Sequence, residues 1–185
     1  MIALPYSLRQ FATDVDAGAA RAGNDAEELS IALGEPIRRL VQRHDLETMG
    51  LPRAGNNVTE SYYLYYDGAM TVVLFKVPMN PPVQPHDHGT WESLFVYRGE
   101  IRHSVYARSD DGSRSGFATL AVQDARILKK GDVVVVAPPR DIHGFHALTE
   151  DTWGITVSTG DYKPERLYYQ PDLQTYEIRR PRTLR

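Results

Sequence analysis

The stretch PHDHGTWESLFVYRG, residues 85–99, carries the most specific pattern in this chain. It places two histidines one residue apart, His86 and His88, before a carboxylate at Glu92 and a glycine at Gly99. In an extended chain alternate side chains point to one face, so His86, His88 and Glu92 can converge on one ion. Imidazole and carboxylate groups are ligands of divalent transition metals. This stretch therefore predicts part of a metal site.

A second segment, GDVVVVAPPRDIH at residues 131–143, ends on another histidine, His143. Its valine run predicts a buried strand, and Pro138-Pro139 predicts the turn that ends it. Prolines also precede His86, so an exposed proline-rich loop is the alternative for the first segment. Three histidines and a glutamate at these spacings favour metal binding.

The middle of the chain alternates β-forming segments with turn residues. Asp67-Gly68 has the composition of a tight hairpin turn. The predicted strands are 62–66, 70–77, 92–98, 101–108, 117–122, 133–137 and 153–158. Short strands at this spacing predict an antiparallel sandwich or barrel over residues 60–160.

Residues 1–50 carry the signals of helix ends and predict a helical cap. Ser7 is a candidate N-cap of one helix, and Asn24-Asp25 predicts the start of a second. Pro36 suits the first turn of a third helix, whose apolar stripe includes Ile37 and Leu40. The fold class is therefore all-β with N-terminal helices, in a single domain over 1–185.

Composition excludes several classes of function. The chain has 185 residues, 42% of them hydrophobic, which is enough for one core. Its 24 acidic and 21 basic residues give a net charge of −3, so we expect no nucleic-acid partner. Cysteine is absent, and a metal must therefore use histidine and carboxylate. No stretch is apolar enough to span a bilayer and no signal pattern opens the chain, so we expect a cytoplasmic protein without a membrane partner.

The C-terminal extension, 161–185, is rich in arginine. Arg179, Arg180, Arg182 and Arg185 surround Pro181. Such a tail is a solvated or partner-packed end, with a phosphate-binding arm as the alternative.

The two histidine segments resemble the signature motifs of the cupin superfamily. The first motif, H-x-H-x3-E-x6-G, fits from His86 to Gly99, and the second fits less tightly around His143. The resemblance implies a double-stranded β-helix, or jelly-roll barrel, with His86, His88, Glu92 and His143 as metal ligands. Glu92 could instead be a nearby base. Ligand type admits Fe(II), Mn(II), Ni(II) or Zn(II), and iron is the metal that the resemblance implies.

Within the cupins the chain looks most like the thiol dioxygenases, which oxidise cysteine or mercaptopropionate with O2. That family uses three histidines without the glutamate. Its Ser-His-Tyr relay would fall here on Gly154, Thr156 and Ser158, so the relay is missing. This face would then look at the metal and leave a wider cavity, favouring a substrate bulkier than cysteine. A carboxylate clamp of the family can correspond to Arg166.

Other histidines have simpler interpretations. His146 could be a donor beside the metal, a proton-transfer group or a half-buried residue, and we take it as the proton-transfer candidate. His103 has no companion in sequence and is expected to be structural.

The resulting hypothesis is a mononuclear cupin dioxygenase, with iron as the expected metal, that acts on a small metal-chelating molecule and O2. A cupin isomerase, lyase or hydrolase that uses the metal only as a Lewis acid is the second hypothesis. A non-catalytic ligand sensor is the third. Edge strands need covering, so we expect a homodimer.

Overall fold

The computed structural model describes residues 6–53, 60–160 and 162–180. The predictions for Arg182 and Arg185 lie outside these residues. The elements in chain order are α1 (Leu8–Ala22), α2 (Ala26–Leu40), α3 (Leu46–Met49), β1 (Leu51–Pro52), β2 (Ser61–Tyr66), β3 (Met70–Lys76), β4 (Val83–His86), β5 (Glu92–Arg98), β6 (Ile101–Arg108), β7 (Leu120–Leu128), β8 (Val133–Val136), β9 (Ile142–Ala147), β10 (Trp153–Thr159), β11 (Arg166–Gln170) and β12 (Thr175–Arg179).

The strands form two six-stranded sheets. The first has the order β1-β2-β3-β10-β5-β8 and the second has the order β12-β11-β4-β9-β6-β7. Every pairing between these strands is antiparallel. The predicted all-β fold with N-terminal helices is confirmed, and its strands form the two antiparallel sheets of a jelly-roll.

The helices pack on the outer face of the first sheet. Ser7 caps α1 by accepting a hydrogen bond from Gln10 N at 3.1 Å, and Asp25 caps α2 through two backbone N–H groups. Phe11 of α1 contacts Phe95 of β5, with ring centroids 6.4 Å apart. None of the helices in the described part of the chain has the length and apolar character to cross a membrane.

The prediction of a separate third helix from Pro36 is wrong. Pro36 lies inside α2, which runs without interruption to Leu40. Leu33 and Ile37, on either side of the proline, are fully buried against the sheet. Their burial, at about 25 cal/mol per Å² of apolar surface, offsets the one backbone hydrogen bond that proline cannot donate.

The strand β10 separates two apolar layers. Ile155 and Val157 belong to the cluster shared with the helices, whereas Thr156 faces the space between the sheets. Phe75 and Phe145 pack in that space with ring centroids 5.9 Å apart. The predicted alternation along β10 is therefore observed, and its Thr156 face lines the interior.

Several strands differ from the sequence-based expectation. β7 spans Leu120–Leu128 rather than 117–122, because its exposed surface has no apolar alternation to mark it. β4 and β9 went unpredicted, since Pro85 and Gly144 are weak strand formers. β11 and β12 continue the second sheet beyond residue 160.

Gly99 closes the first motif for a steric reason. Its φ is +82°, which L side chains rarely adopt. A Cβ atom there would lie 2.3 Å from Thr152 Oγ1. The turn between β5 and β6 therefore requires glycine, which fixes the strand that begins at Glu92.

Candidate metal centre

Three histidines converge between the sheets. His86 ends β4, His88 follows it, and His143 lies opposite His86 on the neighbouring strand β9. One ring nitrogen from each of the three lies within 4.8 Å of the others. The Nε2 atoms of His88 and His143 are 2.9 Å apart, and all three residues are buried. The structure thus brings together the histidines predicted as metal ligands.

Each imidazole is held by a contact to its Nδ1 atom. His86 Nδ1 lies 2.7 Å from the carbonyl oxygen of Gln84, to which it donates. His143 Nδ1 lies 2.8 Å from His103 Nε2. With Nδ1 engaged, the Nε2 atoms of His86 and His143 are free to bind an ion.

Arg166 contacts the third ligand. Its Nη2 lies 3.2 Å from His88 Nδ1, and because guanidinium only donates, this contact places the His88 proton on Nε2. Metal binding through Nε2 requires the proton on Nδ1 instead. The Glu92 carboxylate oxygen Oε2 lies 3.6 Å from this Nδ1 atom.

Burial keeps the imidazoles neutral, the form that binds metals. It lowers the pKa of His86 to about 3 and that of His103 to about 4. The pKa values of His88 and His143 also fall well below their usual range, first through burial and then through the neighbouring His86. Three neutral, converging nitrogen donors fit a divalent transition metal.

Two aspartates fix the loop that carries His88. Asp141 Oδ2 accepts hydrogen bonds from the backbone N–H groups of His88 and Gly89, at 2.9 and 2.7 Å. Asp87 accepts from Leu167 N at 2.9 Å and pairs with Lys163. The loop is thereby tied to the start of β9 and to β11.

Glu92 lies beside the three histidines, but its carboxylate hydrogen-bonds to Tyr162. Its Oε1 is 3.6 Å from His143 Nε2, and its Oε2 accepts a hydrogen bond from the Tyr162 hydroxyl. Ser158 Oγ donates to the same hydroxyl at 3.3 Å. Burial raises the pKa of Glu92, while the Tyr162 bond opposes that rise. The pair is arranged to hold or pass a proton next to the histidines.

A cavity of about 130 Å³ opens beside this site. Its apolar wall consists of Val73, Phe75, Val83 and Phe145. Its polar wall consists of Arg53, Thr71, His86, His88, Glu92, Thr156, Tyr162, Arg166 and Tyr168. Two guanidinium groups and one carboxylate make it a cationic pocket.

The two arginines of the cavity are held differently. Arg166 donates through Nε to the Asp87 carbonyl oxygen at 2.8 Å, besides its contact to His88. Among the residues that the structure describes, the side chain of Arg53 hydrogen-bonds only to the hydroxyl of Tyr63, through Nε at 3.1 Å. The terminal nitrogens of Arg53 therefore have no described protein partner.

The structure does not bring His146 to the site. It lies on β9, where its side chain points to the opposite face of the strand from those of His143 and Phe145, and it does not line the cavity. The strand alternation that points His143 inward turns His146 to the other face of the sheet. The proton-transfer role assigned to His146 has no geometric support.

Sequence reasoning missed four residues of the site. They are Arg53, His103, Tyr162 and Tyr168. Tyr162 lines the cavity and its hydroxyl contacts Ser158. The aromatic ring that we expected to be missing from β10 is therefore supplied by the loop that follows this strand. Tyr168 stacks on His86 with ring centroids 5.1 Å apart and planes 9° apart. Only the proximity of Tyr162 to the end of β10 was visible as a signal in the sequence.

The three histidines, held between two antiparallel sheets, together define a candidate site for one divalent transition metal. No family model and no curated protein matches the chain.

Among solved structures the chain resembles KdgF from Halomonas sp., with 18% identity and a TM-score of 0.43 over 66% of this chain and 92% of that one. A cupin superfamily protein from Desulfitobacterium hafniense shares 16% identity, with a TM-score of 0.40 over 59% and 84%. Hydroquinone 1,2-dioxygenase from Sphingomonas sp., with 4-hydroxybenzoate bound, shares 11%, with a TM-score of 0.45 over 58% and 70%. Likeness at this level carries no argument about substrate or reaction.

Proposed function

We propose that the chain is a mononuclear, metal-dependent cupin enzyme, and that its activity is Fe(II)-dependent dioxygenation of a small metal-chelating molecule. The observation that carries the proposal is the convergence of three neutral, buried imidazoles, two of which, those of His86 and His88, line a polar cavity. Three protein nitrogens leave coordination positions for other ligands.

Iron bound at this site would supply the activation of O2 that dioxygenation requires. His86, His88 and His143 hold the ion in this proposal. Glu92 adds negative charge as a fourth ligand or accepts a proton beside it. Tyr162 keeps that carboxylate in place by donating to it.

The size and charge of the cavity favour a small anionic substrate. A volume of about 130 Å³ is close to the roughly 150 Å³ of an engineered cavity that binds benzene. Arg53 and Arg166 line it, and each can hold an acidic end such as a carboxylate. Arg166 is also committed to Asp87 and His88, so Arg53 is the freer of the two.

A thiol such as cysteine is a poor candidate despite the resemblance to thiol dioxygenases. That family has no glutamate at the position of Glu92, and its relay histidine is replaced by Thr156. We expect slow oxidation of free cysteine.

A Lewis-acid isomerase, lyase or hydrolase is the second candidate. The observation that favours it is the buried pair of Glu92 and Tyr162, which offers both a base and an acid next to the metal site. Such a reaction needs no O2. A sensor that binds ligand without turnover is the third.

Metal analysis of protein purified without chelator tests the site first. An oxygen electrode with Fe(II)-loaded protein and a panel of small thiols, diketones and catechol-like acids then tests the reaction. Oxygen uptake that depends on substrate supports the dioxygenase, whereas turnover under argon supports the second candidate. A ligand that binds without turnover in either atmosphere indicates the sensor.

We also propose a homodimer. The edge strand β7 pairs only with β6 and exposes the apolar side chains of Val122 and Ile127. Covering such an edge is a common reason for association.

A further inference from the structure

We propose that His103 is a positioning residue for the metal centre, which holds His143 in the tautomer and orientation that bind the ion. The inference rests on the proposed metal-dependent function, because it concerns the ligand His143. It replaces the structural role expected for His103 from sequence.

The geometry that carries the inference is a direct contact between the two rings. His103 Nε2 lies 2.8 Å from His143 Nδ1, and the ring planes are 64° apart with centroids at 5.0 Å. Both residues are buried, and each has a relative solvent exposure of 1%. At that distance one nitrogen donates and the other accepts, so His103 fixes where the His143 proton resides.

The metal site determines which nitrogen donates. His143 Nε2 faces His88 Nε2 at 2.9 Å, so Nε2 is the ligand atom and must keep its lone pair. The proton then lies on Nδ1, which donates to His103 Nε2. His103 is therefore the acceptor, the role that a carboxylate or carbonyl oxygen fills for many metal-bound histidines.

The strand register explains how His103 reaches His143. On β6, His103 pairs with Phe145 of β9, and Val105, two residues further along β6, pairs with His143. The diagonal contact from His103 to His143 lies within reach of ring side chains on one face of a sheet. No other described residue hydrogen-bonds to His143 Nδ1.

A neutral acceptor also has a chemical consequence. The ligand set remains three uncharged imidazoles, whereas an aspartate at this place would add a buried negative charge. The ion therefore retains more of its positive charge for polarising bound molecules.

The test uses substitutions that differ only in where they place an acceptor. Glutamine in His103→Gln carries its amide oxygen at the position of the imidazole Nε2, whereas asparagine in His103→Asn reaches only to the position of Nδ1. His103→Leu has no acceptor. His146→Leu is the matched control, since it removes a histidine from the outward face of the strand that bears His143.

Cobalt(II) is the probe, and the readouts are its dissociation constant, its visible ligand-field spectrum and the melting temperature of metal-free protein. We expect cobalt affinity to fall about tenfold to a hundredfold in His103→Leu and His103→Asn, the range seen for outer-sphere partners. His103→Gln should stay within about threefold of wild type, and His146→Leu should match wild type.

Unchanged cobalt affinity in His103→Leu would overturn the inference. So would equal weakening in His103→Gln and His103→Leu when both melt alike, because a loss of packing rather than of an acceptor would then be responsible. If wild-type protein binds no cobalt, the proposed function fails with it, whereas wild-type binding that is insensitive to His103 overturns this inference alone.

Discussion

Tyr162 donates a hydrogen bond to the carboxylate of Glu92, although the two residues are 70 positions apart in sequence. Burial, followed by the Glu92 charge, raises the pKa of Tyr162 above its usual range, so the phenol remains a donor near neutral pH. The contact joins the first residue of β5 to the loop after β10. It gives the cavity an acid and a base in direct contact.

Replacing Tyr162 by phenylalanine should move the acidic limb of the activity profile to higher pH. The Tyr162 bond lowers the pKa of Glu92, so its loss lets burial raise that pKa further. The measurement is kcat/KM against pH for Tyr162→Phe and for Tyr106→Phe, a control outside the cavity. An acidic limb that stays in place in Tyr162→Phe would show that Glu92 does not set it.

Removing a proposed ligand should abolish metal retention. We expect His86→Ala and His143→Ala to weaken metal binding by more than the roughly hundredfold of an outer-sphere change, since each removes one of three nitrogen donors. Atomic emission on protein purified without chelator measures the metal content. His146→Ala should retain the wild-type content. Full occupancy in His143→Ala would place the site elsewhere.

The metal-free protein should become less stable as pH falls from 6.5 towards 4. His103 has a folded pKa of about 4, against 6.5 for a free imidazole. The unfolded chain therefore binds a proton in this window that the folded chain does not, and stability is lost as pH falls. At 1.36 kcal/mol per unit the contribution of His103 is about 3 kcal/mol.

Urea unfolding at pH 6.5, 5.5 and 4.5 measures this dependence. His103→Gln cannot titrate there, so its free energy of unfolding should depend less steeply on pH than that of wild type. Parallel pH dependences in the two proteins would contradict the assignment.

Arg53 should contribute to binding of small carboxylates even without metal. We expect benzoate to bind metal-free protein at least about tenfold more tightly than the neutral isostere benzamide, since an ionised partner strengthens a hydrogen bond. Arg53→Gln should lose most of that preference and Arg53→Lys part of it, because lysine lacks the planar fork. Arg38→Gln, an exposed change of the same charge, is the control. Calorimetric titration that finds equal affinity for both probes would refute the acidic subsite.

The proposed homodimer should elute with twice the 20.9 kDa of the chain at micromolar concentration. Multi-angle light scattering measures this directly. Replacing Val122 by lysine should shift the equilibrium to monomer, because a charge on the exposed edge strand opposes pairing. A wild-type monomer under these conditions would exclude the dimer.

Local patterns in the sequence predicted the parts of the fold that local physics controls. Ser7 and Asp25 mark helix starts because their side chains bond backbone N–H groups within three residues. The helix start predicted at Pro36 was wrong because burial of the neighbouring side chains, a tertiary effect, keeps α2 continuous through the proline. β4 and β9 went unpredicted because each contains a weak strand former, proline or glycine, and is stabilised by pairing with a strand distant in sequence.

The sequence by itself determined the candidate ligands of the site, because the spacing of His86, His88 and Glu92 predicted that they converge, and Gly99 supplies the positive φ that its turn requires. Tertiary structure alone decided what surrounds them. His103 contacts His143, 40 residues away in sequence, and Tyr162 hydrogen-bonds to Glu92, 70 residues away. Arg53 lines the cavity and hydrogen-bonds to the hydroxyl of Tyr63. Such contacts depend on sheet register and loop path, which no short-range periodicity encodes, whereas the spacing of His86 and His88 is a local feature of the chain.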